Sequence, residues 1–178
     1  MVRASLLTLS SNRTLKKAIL PLADTGHDHS QCLEHALQAA EHLCQQRGVS
    51  LTPIRLQVLT LIWQNHKAVK AYELLDRLKP SLNAAKPVTV YRALDFLIEQ
   101  GLIHRVESLN AFIGCKCPAL KHEQLLLICN QCNDVEERAA SDVMLALSQE
   151  IKQAGFIAHS KAIEIQGICQ KCVALSKK

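Results

Sequence analysis

Two short cysteine pairs, Cys129-Asn130-Gln131-Cys132 and Cys169-Gln170-Lys171-Cys172, constrain this chain more than any other stretch. A Cys-x-x-Cys turn sets two sulfurs on one side of a tight loop. Two such turns supply the four thiolates that tetrahedral zinc takes in a closed site. The segment between the pairs has its own strand and helix pattern, so the expectation is a zinc clasp on a small domain. Two disulfides, or a redox-active pair, are the competing reading. No secretory apolar leader precedes the pairs and no thioredoxin-like βαβ pattern surrounds either one, which favours zinc.

A chain of 178 residues can bury a core without disulfide staples. No apolar run approaches the ~20 residues needed to cross a bilayer, so no membrane partner is expected and the protein reads as cytoplasmic. In that reducing setting its eight cysteines are metal ligands or small buried hydrophobes. Charge is unevenly spread. From Arg47 to Arg105 there are nine Lys/Arg against four acids, a surplus of five that equals the net charge of the whole chain, so the remainder sums to zero. One half is basic and the other carries the cysteine pairs.

Residues 1–29 show no sustained periodicity and read as a loosely ordered extension. Leu33, Leu37, Ala40 and Cys44 then fall on one face of a helix from Ser30 to near Gly48. A second helix opens with Thr52 as N-cap and Pro53 in the first turn, and buries Val58, Leu59 and Ile62. A third runs from Ala71, burying Leu74, Leu75 and Leu78 until Pro80 stops it. The fourth starts at Pro87, turns Val90, Leu94, Leu97 and Ile98 inward, and stops at Gly101. A hairpin follows, with Leu102–Val106 and Ala111–Ile113 joined through Glu107-Ser108-Leu109-Asn110.

Short helices followed by a hairpin read as a winged helix-turn-helix, residues 30–114, with the fourth helix as reader of double-stranded DNA. Thr89 and Arg92 lie three apart on its first turns with Tyr91 beside them, and arginine can donate two parallel bonds to a guanine edge. The alternative, a protein-binding winged helix with Arg92 in a surface ion pair to Asp95 or Glu99, fits the basic surplus less well. Beyond it, residues 115–178 read as a small α/β domain of order β-β-α-β: strands at Gln124–Ile128 and Asn133–Glu136, a helix over Ser141–Ala154 with Val143, Leu145, Leu147 and Ile151 apolar, and a strand region over Phe156–Ile168. The whole is an α+β chain. An edge strand paired with its copy would make a homodimer, whose two-fold axis implies an inverted-repeat operator.

Leu51-Thr52-Pro53-Ile54-Arg55, Ala71-Tyr72-Glu73-Leu74-Leu75 and Pro87-Val88-Thr89-Val90-Tyr91-Arg92-Ala93-Leu94-Asp95-Phe96-Leu97, followed by the two cysteine pairs, resemble the ferric uptake regulator superfamily and, within it, the zinc uptake regulators. The resemblance runs from about residue 31 to 173. It implies a dimeric repressor of zinc-acquisition genes with two Zn2+ per chain, one held structurally by Cys129, Cys132, Cys169 and Cys172. It places a regulatory zinc at His104, Cys115, His122 and Glu137. The candidate DNA contacts are Arg92, Tyr91, Thr89, Tyr72 and Lys86. One thiolate, two imidazoles and a carboxylate form a set that zinc accepts, and the thiolate disfavours octahedral Fe(II) or Mn(II). Cys117 is the alternative thiolate. An iron-, manganese- or peroxide-responsive regulator of the same superfamily is the alternative function. No enzymatic role is expected: a zinc deaminase needs His-x-Glu with Pro-Cys-x-x-Cys, and neither string occurs.

Overall fold

Pro53 sets the start of the helix on which the N-terminal half is packed, because its fixed φ suits a first turn and its missing N–H has no helical partner to lose. Thr52 stands at the cap in extended conformation, but its side chain makes no capping hydrogen bond, so proline and burial define this end. The computed structural model describes residues 29–64, 67–79, 86–118, 124–159 and 162–176. Residues 1–28, Pro80 and His122 lie outside the described residues.

The elements are α1 (His29–Gln46), α2 (Pro53–Trp63), β1 (Val69–Lys70), α3 (Ala71–Leu78), α4 (Pro87–Glu99), β2 (Ile103–Val106), a 3-10 turn (Glu107–Leu109), β3 (Ala111–Gly114), β4 (Gln124–Cys129), β5 (Val135–Arg138), α5 (Ser141–Gln153), β6 (Ala162–Gly167) and α6 (Gln170–Leu175). One core joins α1 to α4 through Ala40, Cys44, Leu59, Ile62, Leu74, Leu94 and Leu97. The wing is β2 and β3, paired antiparallel from Ile103↔Gly114 to Val106↔Ala111. Asn110, at φ 46°, closes its tip, where a short polar side chain tolerates the left-handed region. Two-residue β1 adds to β3 as a third strand, a pairing too short to leave a period in the sequence.

Two expected helix faces are rotated. Ile98 is 38% exposed, while Ala93 and Phe96 are buried beside Val90, Leu94 and Leu97. At ~100° per residue the face of α4 centres between Ala93 and Leu97, which carries Ile98 to its margin. In α5, Met144 is the buried residue, with Leu147 and Ile151 half-buried behind it, whereas Leu145 is 61% exposed and Val143 is also exposed. Positions 144, 147 and 151 follow the i, i+3, i+7 spacing, and 143 and 145 point to either side of that stripe.

The C-terminal half is a three-stranded sheet of order β5-β4-β6, with β4 antiparallel to β5 and parallel to β6, the crossover carrying α5. Strand β5 begins two residues later than expected. Asn133 takes φ 57° in the turn that closes on Cys129, so pairing resumes at Val135. Helix α6, which begins at the second cysteine pair, is an addition to the expected order. A second apolar cluster unites the halves: Val106 and Ile113 of the wing pack with Leu126 and Ile128 of β4. No helix among the described residues is long and apolar enough to cross a membrane.

At the root of the wing, Gly114 lies against the indole of Trp63, and a Cβ there would overlap the ring. We expect Gly114→Ala to lower unfolding stability by about 1–3 kcal/mol, as overpacking does, measured as a lower urea midpoint at unchanged slope.

Candidate functional site

Strand β4 ends at Cys129 and strand β6 at Gly167, opposite one another in the parallel register, so both cysteine pairs emerge at the same edge of the sheet. Asn130 N–H donates to Gly167 O at 2.8 Å, and Asn133 N–H closes the tight turn of the first pair by donating to Cys129 O at 2.9 Å. Cys129 and Cys172 are buried, and Cys132 and Cys169 half-buried. Their sulfurs interleave: Cys129 Sγ lies 3.8 Å from Cys172 Sγ, and Cys132 Sγ lies 3.7 Å from Cys169 Sγ. All four lie within 4.8 Å of one another.

Those spacings test zinc against disulfides. A disulfide needs sulfurs ~2.0 Å apart. A tetrahedron built on bonds of ~2.3 Å has edges of about 3.8 Å. The thiols are spaced as a tetrahedral S4 donor set and fit zinc. The backbone N–H groups of Cys132 and Cys169 hold the Cys129 thiol down to about 6, so this ligand is ready as a thiolate. The bond from Cys169 N–H to Cys129 Sγ is 3.3 Å. The neighbouring sulfur of Cys169, then burial, push the Cys172 thiol up to about 12.

The second cluster lies where wing and C-terminal sheet meet. His104 sits second in β2, Cys115 follows directly after β3, and Glu137 projects from β5 opposite Leu126. Their ligand atoms lie within 4.8 Å of one another. The His104 and Glu137 side chains are only 5% and 7% exposed, and His104 Nε2–H donates to Glu137 Oε1 at 2.8 Å. The other carboxylate oxygen accepts Lys116 N–H at 3.1 Å. Burial, then the nearby Glu137 charge, push the Cys115 thiol up to about 12. His104, Cys115 and Glu137 would hold a zinc ion as nitrogen, sulfur and oxygen donors of the kinds it accepts. One imidazole, one thiol and one carboxylate therefore fit zinc, with Cys115 buried inside the cluster and Cys117 exposed outside it. His122, the expected fourth ligand, falls outside the described residues.

The candidate reading face is built on α4 and the start of α3. Arg92 and Lys86 are exposed on and before the first turns of α4, and Thr89 is half-buried between them. Tyr91 and Tyr72 are 54% and 60% exposed, a costly display of aromatic surface in a monomer without a partner. Among the described residues Arg92 has no ion-pair partner, so the surface pair to Asp95 or Glu99 does not form. A groove of about 280 Å3 separates α4 from the wing, lined by Lys70, Tyr72, Tyr91, Asp95, Arg105 and Asn110. Lys70 and Arg105 are additions to the sequence-derived face. Both belong to the basic surplus between residues 47 and 105; Lys70 stands two residues before Tyr72, and the fold of the wing brings Arg105 to the same groove.

Residues 46–166 match the Ferric uptake regulator family. The chain is 42% identical over 141 residues to the Zinc uptake regulation protein of Escherichia coli (strain K12), a match that covers 79% of this chain and 82% of that one. It is 22% identical over 144 residues to the Peroxide-responsive repressor PerR of Staphylococcus aureus (strain USA300), covering 80% and 95%. Among solved structures, a zinc uptake regulator complexed with zinc and DNA superposes with a TM-score of 0.79 at 40% identity, covering 82% of this chain and 98% of that one. Holo XcZur superposes at 0.73 with 42% identity, covering 83% and 99%. With a family match over most of its length and a 42%-identical relative across both halves, the chain belongs to the ferric uptake regulator family.

Proposed function

We propose that this chain is a zinc-responsive transcriptional repressor that binds an inverted-repeat operator as a zinc-loaded homodimer in the cytoplasm and shuts off zinc-acquisition genes. The observation that carries this reading is the buried His104, Cys115 and Glu137 cluster, which takes donors from both sides of the junction between wing and C-terminal sheet. Support comes from the relative known as a zinc uptake regulation protein and from the similar regulator solved with zinc and DNA. Residues 30–114 act as the reading unit and 115–178 as the pairing unit. Exposed Ile165 and Ile168 on and beyond edge strand β6 provide apolar surface for the second copy.

Each chain holds two zinc ions in this reading. Cys129, Cys132, Cys169 and Cys172 form the structural site; His104, Cys115, His122 and Glu137 form the regulatory one. Bound zinc supplies a divalent centre that accepts thiolate, imidazole and carboxylate together. His104 and Cys115 on the wing side, and Glu137 on the sheet side, then fix the angle between the halves. That angle sets the separation of the two α4 helices in the dimer, so closed molecules present Arg92, Tyr91, Thr89, Tyr72 and Lys86 to two successive major grooves. Cys115 must release its proton to bind, so response weakens in acid.

The deciding experiment is operator binding against buffered free zinc, iron and manganese. Zinc alone should tighten binding; an equal response to iron or manganese at matched free-metal levels would favour the alternative regulator class. Cys115→Ser should leave a folded dimer with about one zinc per chain while losing the zinc-stimulated gain in affinity, about five- to 150-fold for couplings of ordinary size. Elemental analysis with gel-shift titration reads both. Cys129→Ser should instead lose the structural zinc and the dimer together, seen by sedimentation, because structural zinc binding is largely folding free energy. Arg92→Ala should cost roughly 1–3 kcal/mol per half-site and relax base preference, read by competition between operator and scrambled duplex.

A further inference from the structure

Glu137 and Glu164 occupy one row of the C-terminal sheet, each directly opposite Leu126 on the central strand. Directly paired residues project to the same face, so the row presents carboxylate, leucine and carboxylate towards the wing. Adjacent strands lie ~4.8 Å apart, which puts the two glutamates about 10 Å apart; three residues along a strand also span about 10 Å. His104 and Glu107 stand three apart at the wing. The wing strand β2 thus crosses the sheet, and each end of the row meets one end of that span.

At the near end Glu137 contacts His104. In the middle, fully buried Leu126 packs with Val106 and Ile113. At the far end Glu164 Oε1 accepts Glu107 N–H at 2.6 Å and Glu164 Oε2 accepts Ser108 N–H at 3.0 Å. These are two leading amides of the 3-10 turn, groups that have no partner within such a turn. Against the upward pull of burial, the Ser108 hydroxyl and amide and the Glu107 amide hold the Glu164 carboxyl below its ordinary value. A carboxylate from the C-terminal half therefore caps a backbone turn in the N-terminal half, about 10 Å from the nearest candidate metal ligand of its row.

We propose that Glu164 is a metal-free latch that positions the wing and sets the zinc affinity of the regulatory site without touching it. The proposal rests on the zinc-responsive reading above. Both bridges across the junction, the latch and the His104–Cys115–Glu137 cluster, form in the same closed arrangement. Whatever favours closure through one therefore tightens the other, and the coupling is reciprocal. Removing the latch leaves every zinc donor in place but makes zinc supply more of the closing free energy.

The test uses the full-length dimer as wild type, Glu164→Gln and Glu164→Ala, with zinc affinity of the second site read by competition against a chromophoric chelator. The Ala variant should bind the second zinc about 3- to 10-fold more weakly, the span of one net hydrogen bond in an equilibrium constant. The Gln variant, which keeps one acceptor for one of the two amides, should fall between. Structural zinc content and dimer mass should not change. Amide exchange at Glu107 and Ser108 should be faster in Glu164→Ala even before zinc is added, and zinc should slow it in all three proteins. Equal second-site affinity in all three proteins overturns the coupling, and unchanged exchange at 107 and 108 overturns the latch itself. A wild type that binds no second zinc refutes the regulatory-zinc reading instead, while the exchange arm still decides the latch. Loss of structural zinc or dimer in both variants would make Glu164 a fold-holding residue and also overturn the proposal.

Discussion

The parallel pairing of β4 with β6 is the constraint from which the rest of the C-terminal half follows. A parallel pair cannot be closed by a short turn, and here α5 is the crossover, so the register needs an independent fixing point. Few apolar side chains are available to provide it: Leu126, Ile128 and Met144 are the buried aliphatic residues of this half among those described. The four sulfurs gather just beyond the Cys129↔Gly167 end of the ladder, where a slip of one residue would reverse the facing of every side chain in β6. A metal-sized S4 cluster at this point stands in for the larger core that other sheets have. With the register held, Glu137, Leu126 and Glu164 fall in line across the sheet, and the wing has a surface to rest on.

The junction is apolar at its centre and polar at its margins. Val106, Ile113, Leu126 and Ile128 exclude water between the halves, and this raises the stakes for the buried His104–Glu137 hydrogen bond next to them. The same exclusion raises the Cys115 thiol. The thiols of the two clusters meet different surroundings: backbone N–H groups lower Cys129 while its neighbour Cys172 is raised, and at Cys115 burial, then the Glu137 carboxylate, raise the thiol.

Much of this was legible in the sequence because its signals are local. The cysteine pairs, Pro53, Pro87 and Gly101 act within a turn of themselves, and the helices they bound lie where expected. Grouping His104, Cys115 and Glu137 took the family resemblance, since nothing local links a strand of the wing to one of the C-terminal sheet. The failures share a different cause. Ile98, Val143 and Leu145 are apolar residues placed at the margin of a face, where one neighbour in sequence decides whether a side chain is covered. Strands β1 and β5 depend on partners distant in the chain, and Asn133 delays β5 by entering a left-handed turn that any short polar residue could have filled. Glu164 was invisible for the same reason: an acidic residue in an apolar strand reads as solvent-facing until the fold brings two unpaired amides to it.

Trp63 is the chain's single tryptophan, and its indole lies against the place where Gly114 lacks a side chain, one residue before Cys115. Indole emission responds to the polarity and closeness of its surroundings. The protein therefore carries an intrinsic optical probe at the root of its wing, one that needs no added label and perturbs no ligand. A change in how the wing meets the helical core would register as a change in colour or intensity from one known position, with no other tryptophan to confuse its origin.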